Sequence, residues 1–251
     1  MVKRLDDMVK PLYYMDMGRI EPIAEDVWAV TDTLRMPFGV RFPVRMTVLR
    51  AGGELVLVSP VALDDALADA IDALGPVTRI VAPNLLHHLF LAGAAARWPA
   101  AKVHGPAGLA TGKRKDVRFE GGPDALDVEG IDVVRLHGVP SIDEHVLVHR
   151  ASRTAIVTDL LFNVHEANGA TRFVLRWLSG AFGGPKTSRV WRMATRDRGA
   201  LRESVEHLLT RDFDRLIVAH GQVIETDAKA ALAAASTWLG AEARALLPRA
   251  T

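Results

Sequence analysis

Twice along the chain a group of short β-type apolar runs gathers and then gives way to amphipathic helices, and no other feature constrains the fold as much. The first group is RMTVLR (45–50) and ELVLVS (54–59), joined by Ala51-Gly52-Gly53 in the manner of a tight hairpin. Leu63, Leu67, Ala70, Ile71 and Leu74 then recur at three and four positions, with Asp64, Asp65, Asp69 and Asp72 on other faces and Gly75-Pro76 as a stop. That spacing predicts a helix over 62–74. TRIVA (78–82) reads as a buried strand, 86–98 as a second helix, and KVHG (102–105) as one more strand. The second group is IDVVRL (131–136), EHVLVHR (144–150) and TAIVTDL (154–160); a helix over 198–210, the strand RLIVAHG (215–221) and an Ala-rich helix over 227–246 follow it. This order is neither a βαβ alternation nor an all-β pattern. Two sheets, each covered by helices on one face, need each other's inner face. The expected fold class is therefore α/β (α+β), a four-layer αββα sandwich in which residues 25–160 supply one sheet with its helices and the remainder most of the other.

Composition narrows the chemistry. At 251 residues and 49% hydrophobic the chain can bury a large core, so a single domain over 1–251 is expected, with residues 1–24 as an N-terminal extension. A formal charge of +1 gives no field to hold a nucleic-acid backbone or an anionic membrane. MVKRLDDMVK lacks an apolar core and no later stretch is long enough to span a bilayer, so a cytoplasmic protein is expected. The partner is then a small-molecule substrate or ligand, with no nucleic acid and no membrane; a homodimer stays open. With no cysteine, any metal must sit on His and carboxylate. GxGxxG after a strand, GxxxxGK[ST], GxSxG and HExxH are all absent. Residues 105–130, rich in Gly and carrying Lys113-Arg114-Lys115, read as irregular surface. In 169–192, Phe173, Trp177, Phe182 and Trp191 among glycines read first as a helical hairpin packed on the core, and second as the apolar wall of a pocket or a dimer surface.

What remains is a repeated design in which an apolar strand runs into a ligand-type residue at its carboxyl end: RIVAPNLLHHLF (79–90), TAIVTDLLFN (154–163) and RLIVAHG. Adjacent strand ends lie close together, so imidazoles and a carboxylate delivered this way can converge on one ion. The bland alternatives are a helix-opening His pair at His87 and His88, an N-cap at Asp159, a buried turn histidine at His220 and a satisfied core histidine at His149.

These segments, in this order, resemble the metallo-β-lactamase fold superfamily and, more closely, a branch of it classed as a domain of unknown function. In the superfamily a strand leads to His-x-His-x-Asp-His, a later strand ends in a bridging Asp, and a last strand ends in His. TDLL with Asp159 resembles the second feature and VAHG with His220 the third; VWAVTDT, the hairpin and SPVALDD are similar to the opening, and the likeness runs from about residue 25 to 240. The first motif is degenerate: with its last His on His88, Pro83 and Leu85 replace the leading histidines and His87 the Asp. The resemblance thus implies His87, His88, Asp159 and His220 as metal ligands for one Zn or Fe ion or for none, Asp159 as the catalytic group, and Asn84, Glu144 and His149 as additional site residues. Glu144 stands first among these because the closer branch is similar around E-x-V-x-x-H. Two functions follow: a mononuclear metal-dependent hydrolase of an ester, thioester, lactone or phosphoester, or a catalytically silent descendant with a metal-free ligand-binding or structural polar site.

Overall fold

In the computed structural model, which describes residues 18–240, two sheets face each other with helices outside both. The first sheet runs β1 (Ile20–Ala24), β2 (Val27–Arg35), β3 (Arg41–Ala51), β4 (Glu54–Val58), β5 (Val77–Val81) and β6 (Lys102–His104) in spatial order. Its first four strands pair antiparallel; β5 and β6 join in parallel after helical crossovers. The second sheet holds β7 (Ile131–Arg135), β8 (His145–His149), β9 (Thr154–Asn163), β10 (Pro185–Lys186) and β11 (Arg215–Gly221), the last paired with β9 in parallel. The helices are α1 (Asp65–Asp72), α2 (Leu91–Arg97), α3 (Gly169–Phe173), α4 (Arg189–Ala194), α5 (Arg198–Leu209) and α6 (Ala228–Ala235).

The four layers follow from strand periodicity, because successive side chains point to opposite faces. On β4, Leu55 and Leu57 pack outward with Leu67, Ile71 and Leu91, while Val56 and Val58 pack inward. On the other sheet Leu147, Ile156 and Ile217 point inward to meet them, and Val146, Val148, Val157 and Val218 point outward onto Leu201, Val205, Leu208 and Leu232. The chain therefore has an αββα sandwich, as its pattern of runs predicts.

Several boundaries differ from the sequence reading. The division between sheets falls between β6 and β7, not near residue 160, so 131–160 belongs wholly to the second sheet. The Gly-rich stretch 105–130 is the crossing between sheets and is not surface throughout: Leu109 and Val117 pack in the outer core of the first sheet, and Leu126 and Val128 in the layer between the sheets. Ile20–Ala24 pairs with β2 and is part of the sheet rather than of an extension; the rest of that segment, 1–17, lies outside the described residues. The helix expected from 86 begins only at Leu91, because the Asn84 side chain takes the amides of Leu86 and His87. The last helix ends at Ala235 and a further turn spans Thr237–Leu239; positions 241–246 of the expected helix lie outside the described residues. The aromatic segment divides: Trp191 packs in the core at 1% exposure, whereas Phe173 and Trp177 stand 58% and 62% exposed. No helix among the described residues is long and apolar enough to cross a membrane.

If the inner layer is what joins the sheets, Leu147→Ala, which empties a fully buried position facing Val56 and Val58, is expected to cost about 2–5 kcal/mol in urea unfolding. A loss below about 1 kcal/mol would contradict this packing.

Candidate metal centre

The centre is built where β9 departs from regular pairing. Val218 of β11 faces Val157, but His220, two residues on, faces Phe162, five residues on, so β9 carries surplus residues between these points. The amides freed by this bulge are taken by one side chain. Glu144, fully buried just before β8, accepts from Thr158 N at 2.7 Å with Oε1 and from Asp159 N and Leu160 N at 3.0 Å with Oε2. Burial and the Asp159 charge push the Glu144 carboxyl up to about 7, against the pull of the Thr158 amide and His87. Glu144 thus shapes the segment that presents Asp159.

Asn84, also fully buried, does the equivalent work on the other sheet. Its Oδ1 accepts from Leu86 N and His87 N at 2.8 Å, and its Nδ2 donates to Asp159 Oδ2 at 2.7 Å and to Thr158 Oγ1 at 3.0 Å. An Asn oxygen that captures the next amides makes a turn and withholds them from a helix. This is why the helix after β5 starts late, and why His87 sits in an irregular turn facing Asp159.

The histidines are then fixed from behind. His220 Nδ1 lies 2.7 Å from the Pro43 carbonyl oxygen, which only accepts, so Nδ1 carries the proton and donates. Its ring lies between Phe162, stacked at 4.7 Å, and Phe42 at 4.6 Å. His87 Nδ1 lies 2.6 Å from Ser59 Oγ. Ser59 closes β4 with φ 57°, left-handed for a residue other than glycine, a strain typical of positions held for function. Gly221, at φ 107°, is required by close approach: a Cβ there would meet Asn163 O at 2.1 Å.

These supports bring Nε2 of His87 to 3.2 Å from Asp159 Oδ2 and Nε2 of His220 to 3.4 Å from Oδ1. One ligand atom from each of the three lies within 4.8 Å of the others. The donor set fits a metal: two imidazole nitrogens and a carboxylate suit zinc or iron. With Nδ1 of His220 committed, a neutral ring turns a lone pair toward a carboxylate oxygen. Two acceptors so close require a cation between them, a proton or a metal ion. Burial alone would raise the Asp159 pKa, yet the two imidazoles hold it well below the usual carboxylate range, and His87 is raised in spite of its own burial by the same carboxylate.

Of the four ligands read from sequence, the structure brings His87, Asp159 and His220 together. His88 is half-buried in the same turn and, among the described residues, falls outside the cluster. Asn84 and Glu144 are at the centre as supports. His149 is not: its nitrogens engage Ser152 Oγ at 2.8 Å and the Arg50 carbonyl at 3.0 Å. It pairs with Thr154, five residues and about 16 Å of strand from Asp159. Sequence reasoning missed Ser59, whose signal was its place at the end of an apolar run in VLVSP, the same design as the other three. It also missed Phe42 and Phe162, which carry no readable signal.

Comparison with solved structures bears on the fold. FIM-1, a metallo-β-lactamase from Pseudomonas aeruginosa in its mono-zinc form, matches with a TM-score of 0.62 at 15% identity, over 92% of this chain and 97% of that one. The chain has the metallo-β-lactamase fold. A metallo-β-lactamase from Hirschia baltica matches at 0.61 and 12% identity, over 94% and 100%, and the metal-soaked flavodiiron core of Flv1 from Synechocystis sp. at 0.60 and 12%, over 91% and 62%. No family model and no curated protein sequence matches the chain, so the likeness is one of fold.

Because Glu144 replaces ladder bonds for three amides, Glu144→Gln, which puts an amide N–H against one or more of them, is expected to lower unfolding free energy by about 3 kcal/mol. Denaturant unfolding at neutral pH measures this, and an unchanged midpoint would show that the bulge holds without the carboxylate.

Proposed function

We propose that the chain is a hydrolase dependent on one metal ion, held by His87 Nε2, His220 Nε2 and the Asp159 carboxylate. The observation that carries this reading is the convergence of these three side chains within 4.8 Å, each supported by a second partner. A bound zinc or iron ion would supply Lewis acidity there, polarising a carbonyl and easing ionisation of water. The protein's own contribution is orientation: Pro43 fixes the His220 tautomer, Ser59 sets the His87 ring, and Asn84 steers Asp159 Oδ2. In the reaction water adds across an acyl C–O bond, releasing an acid and an alcohol. With the first motif's last His laid on His87 instead of His88, its other positions fall on Ala82, Asn84 and Leu86. Neither Ala nor Leu can ligate, and Asn84 is committed to Asp159. One ion per chain is the stoichiometry this supports.

A second reading has an observation of its own. Asp159 is met by Asn84 Nδ2, His87 Nε2 and His220 Nε2, so a protonated His–Asp–His cluster can satisfy itself without metal. That is the silent descendant.

Elemental analysis of untagged protein separates the two. The hydrolase reading expects one zinc or iron per chain, and a chelator-induced fall in Tm of roughly 5–10 °C if the ion was present at about a hundredfold over Kd. His220→Ala is expected to abolish both the bound ion and the chelator effect. An unchanged Tm with chelator, while His220→Ala still lowers it, supports the metal-free cluster. Two ions per chain would overturn both. Turnover of a chromogenic cephalosporin is expected to be negligible, since positions 82, 84 and 86 cannot build a two-metal site; robust chelator-sensitive turnover would contradict the stoichiometry.

A further inference from the structure

The ligand cluster opens onto two cavities rather than one. The larger, about 630 Å³, is reached past Met36, Phe38 and Leu89 and is walled by Leu34, Val40 and Val44, with His87 and His220 at its base. The smaller, about 230 Å³, lies toward Ile142, Phe162, Leu175 and Trp191. They share Phe42, Leu86, Val174 and Asp159, so they meet at the carboxylate.

We propose that this site takes a neutral carboxylic ester or lactone with apolar groups on both sides of its carbonyl, one in each cavity. The proposal rests on the hydrolase reading and narrows its substrate. Among the described residues no lysine or arginine lines either cavity, and their ionisable side chains are His87, Asp159 and His220 alone. A phosphoester would need cationic partners for its non-reacting oxygens and would bring its charge beside Asp159. An uncharged chain instead gains by leaving water on each side, and the larger volume is that of a small-molecule pocket. Trp191, 1% exposed, closes the smaller cavity and adds its ring to the apolar wall.

The test is calorimetric binding to the full chain of 4-nitrophenyl alkyl ethers from butyl to decyl, which cannot be hydrolysed as esters, against monoalkyl phosphates of the same lengths. Affinity for the ethers is expected to rise roughly fourfold per methylene until the cavity is filled, with the phosphates at least tenfold weaker. Val174→Glu, at the half-buried wall between the cavities, is expected to weaken the octyl ether at least tenfold; Val174→Ala, which keeps the wall apolar, is expected to retain binding. Phosphates binding as tightly as the ethers, or an affinity independent of chain length, would overturn the proposal. Ether binding that follows the series, together with no metal-dependent turnover of matched 4-nitrophenyl esters, would sink the hydrolase reading and leave the two-cavity ligand class standing.

Discussion

The candidate centre depends on a buried carboxylate spent on backbone. A strand can swing a functional side chain out of its plane only if the amides that leave the ladder find other acceptors, because unpaired buried N–H groups are costly. Glu144 accepts all three such amides of β9 with its two oxygens, and the carboxylate it thereby positions is that of Asp159. Asn84 performs the complementary operation across the sandwich, closing the turn that carries His87 and holding Asp159 from the other sheet. Two side chains that face no solvent thus decide where the functional ones point.

The same economy governs the histidine from β11. Its ring is held by a carbonyl of β3 and by two phenylalanines, so the first sheet orients a histidine borne by the second. Arg45, also on β3, donates to the Val218 carbonyl at the point where β11 loses register with β9. The centre is therefore a product of sheet-on-sheet packing, and its integrity is tied to the inner apolar layer. This setting also gives the centre its chemical character. A carboxylate and two imidazoles sit at the floor of apolar walls, where electrostatic interactions with whatever cation lies between them are weakly screened.

The layered fold was legible because periodicity is local: apolar runs of period two and helices of period near four are readable without knowing their neighbours. Asp159 and His220 were legible for a related reason, since each is a ligand-type residue following an apolar run; the reading of Asp159 as a strand end was not met, because β9 continues past it to Asn163 and the bulge, not a terminus, turns it out of the sheet. The dividing line between sheets was not legible, because β6 and β7 are both short strands and only pairing assigns them. Nor was the choice between His87 and His88, adjacent and identical in type. It is settled by Asn84, whose capture of two amides fixes the turn. Glu144 was singled out as a site residue, but its task was hidden: nothing in EHVLVH announces that a carboxylate will bond to amides fourteen to sixteen positions on.

If Asp159, held out of register, and the two histidines form a single cation-binding position, the protein must take up a divalent ion there in solution. Zinc titration of chelator-stripped protein, followed by calorimetry in parallel on wild type and Asp159→Asn, tests it most directly. Saturable binding at one ion per chain is expected in wild type, weakened at least a hundredfold by a substitution that removes the charge but keeps the shape. Equal affinity in the two proteins, or no saturable binding in wild type, would contradict it.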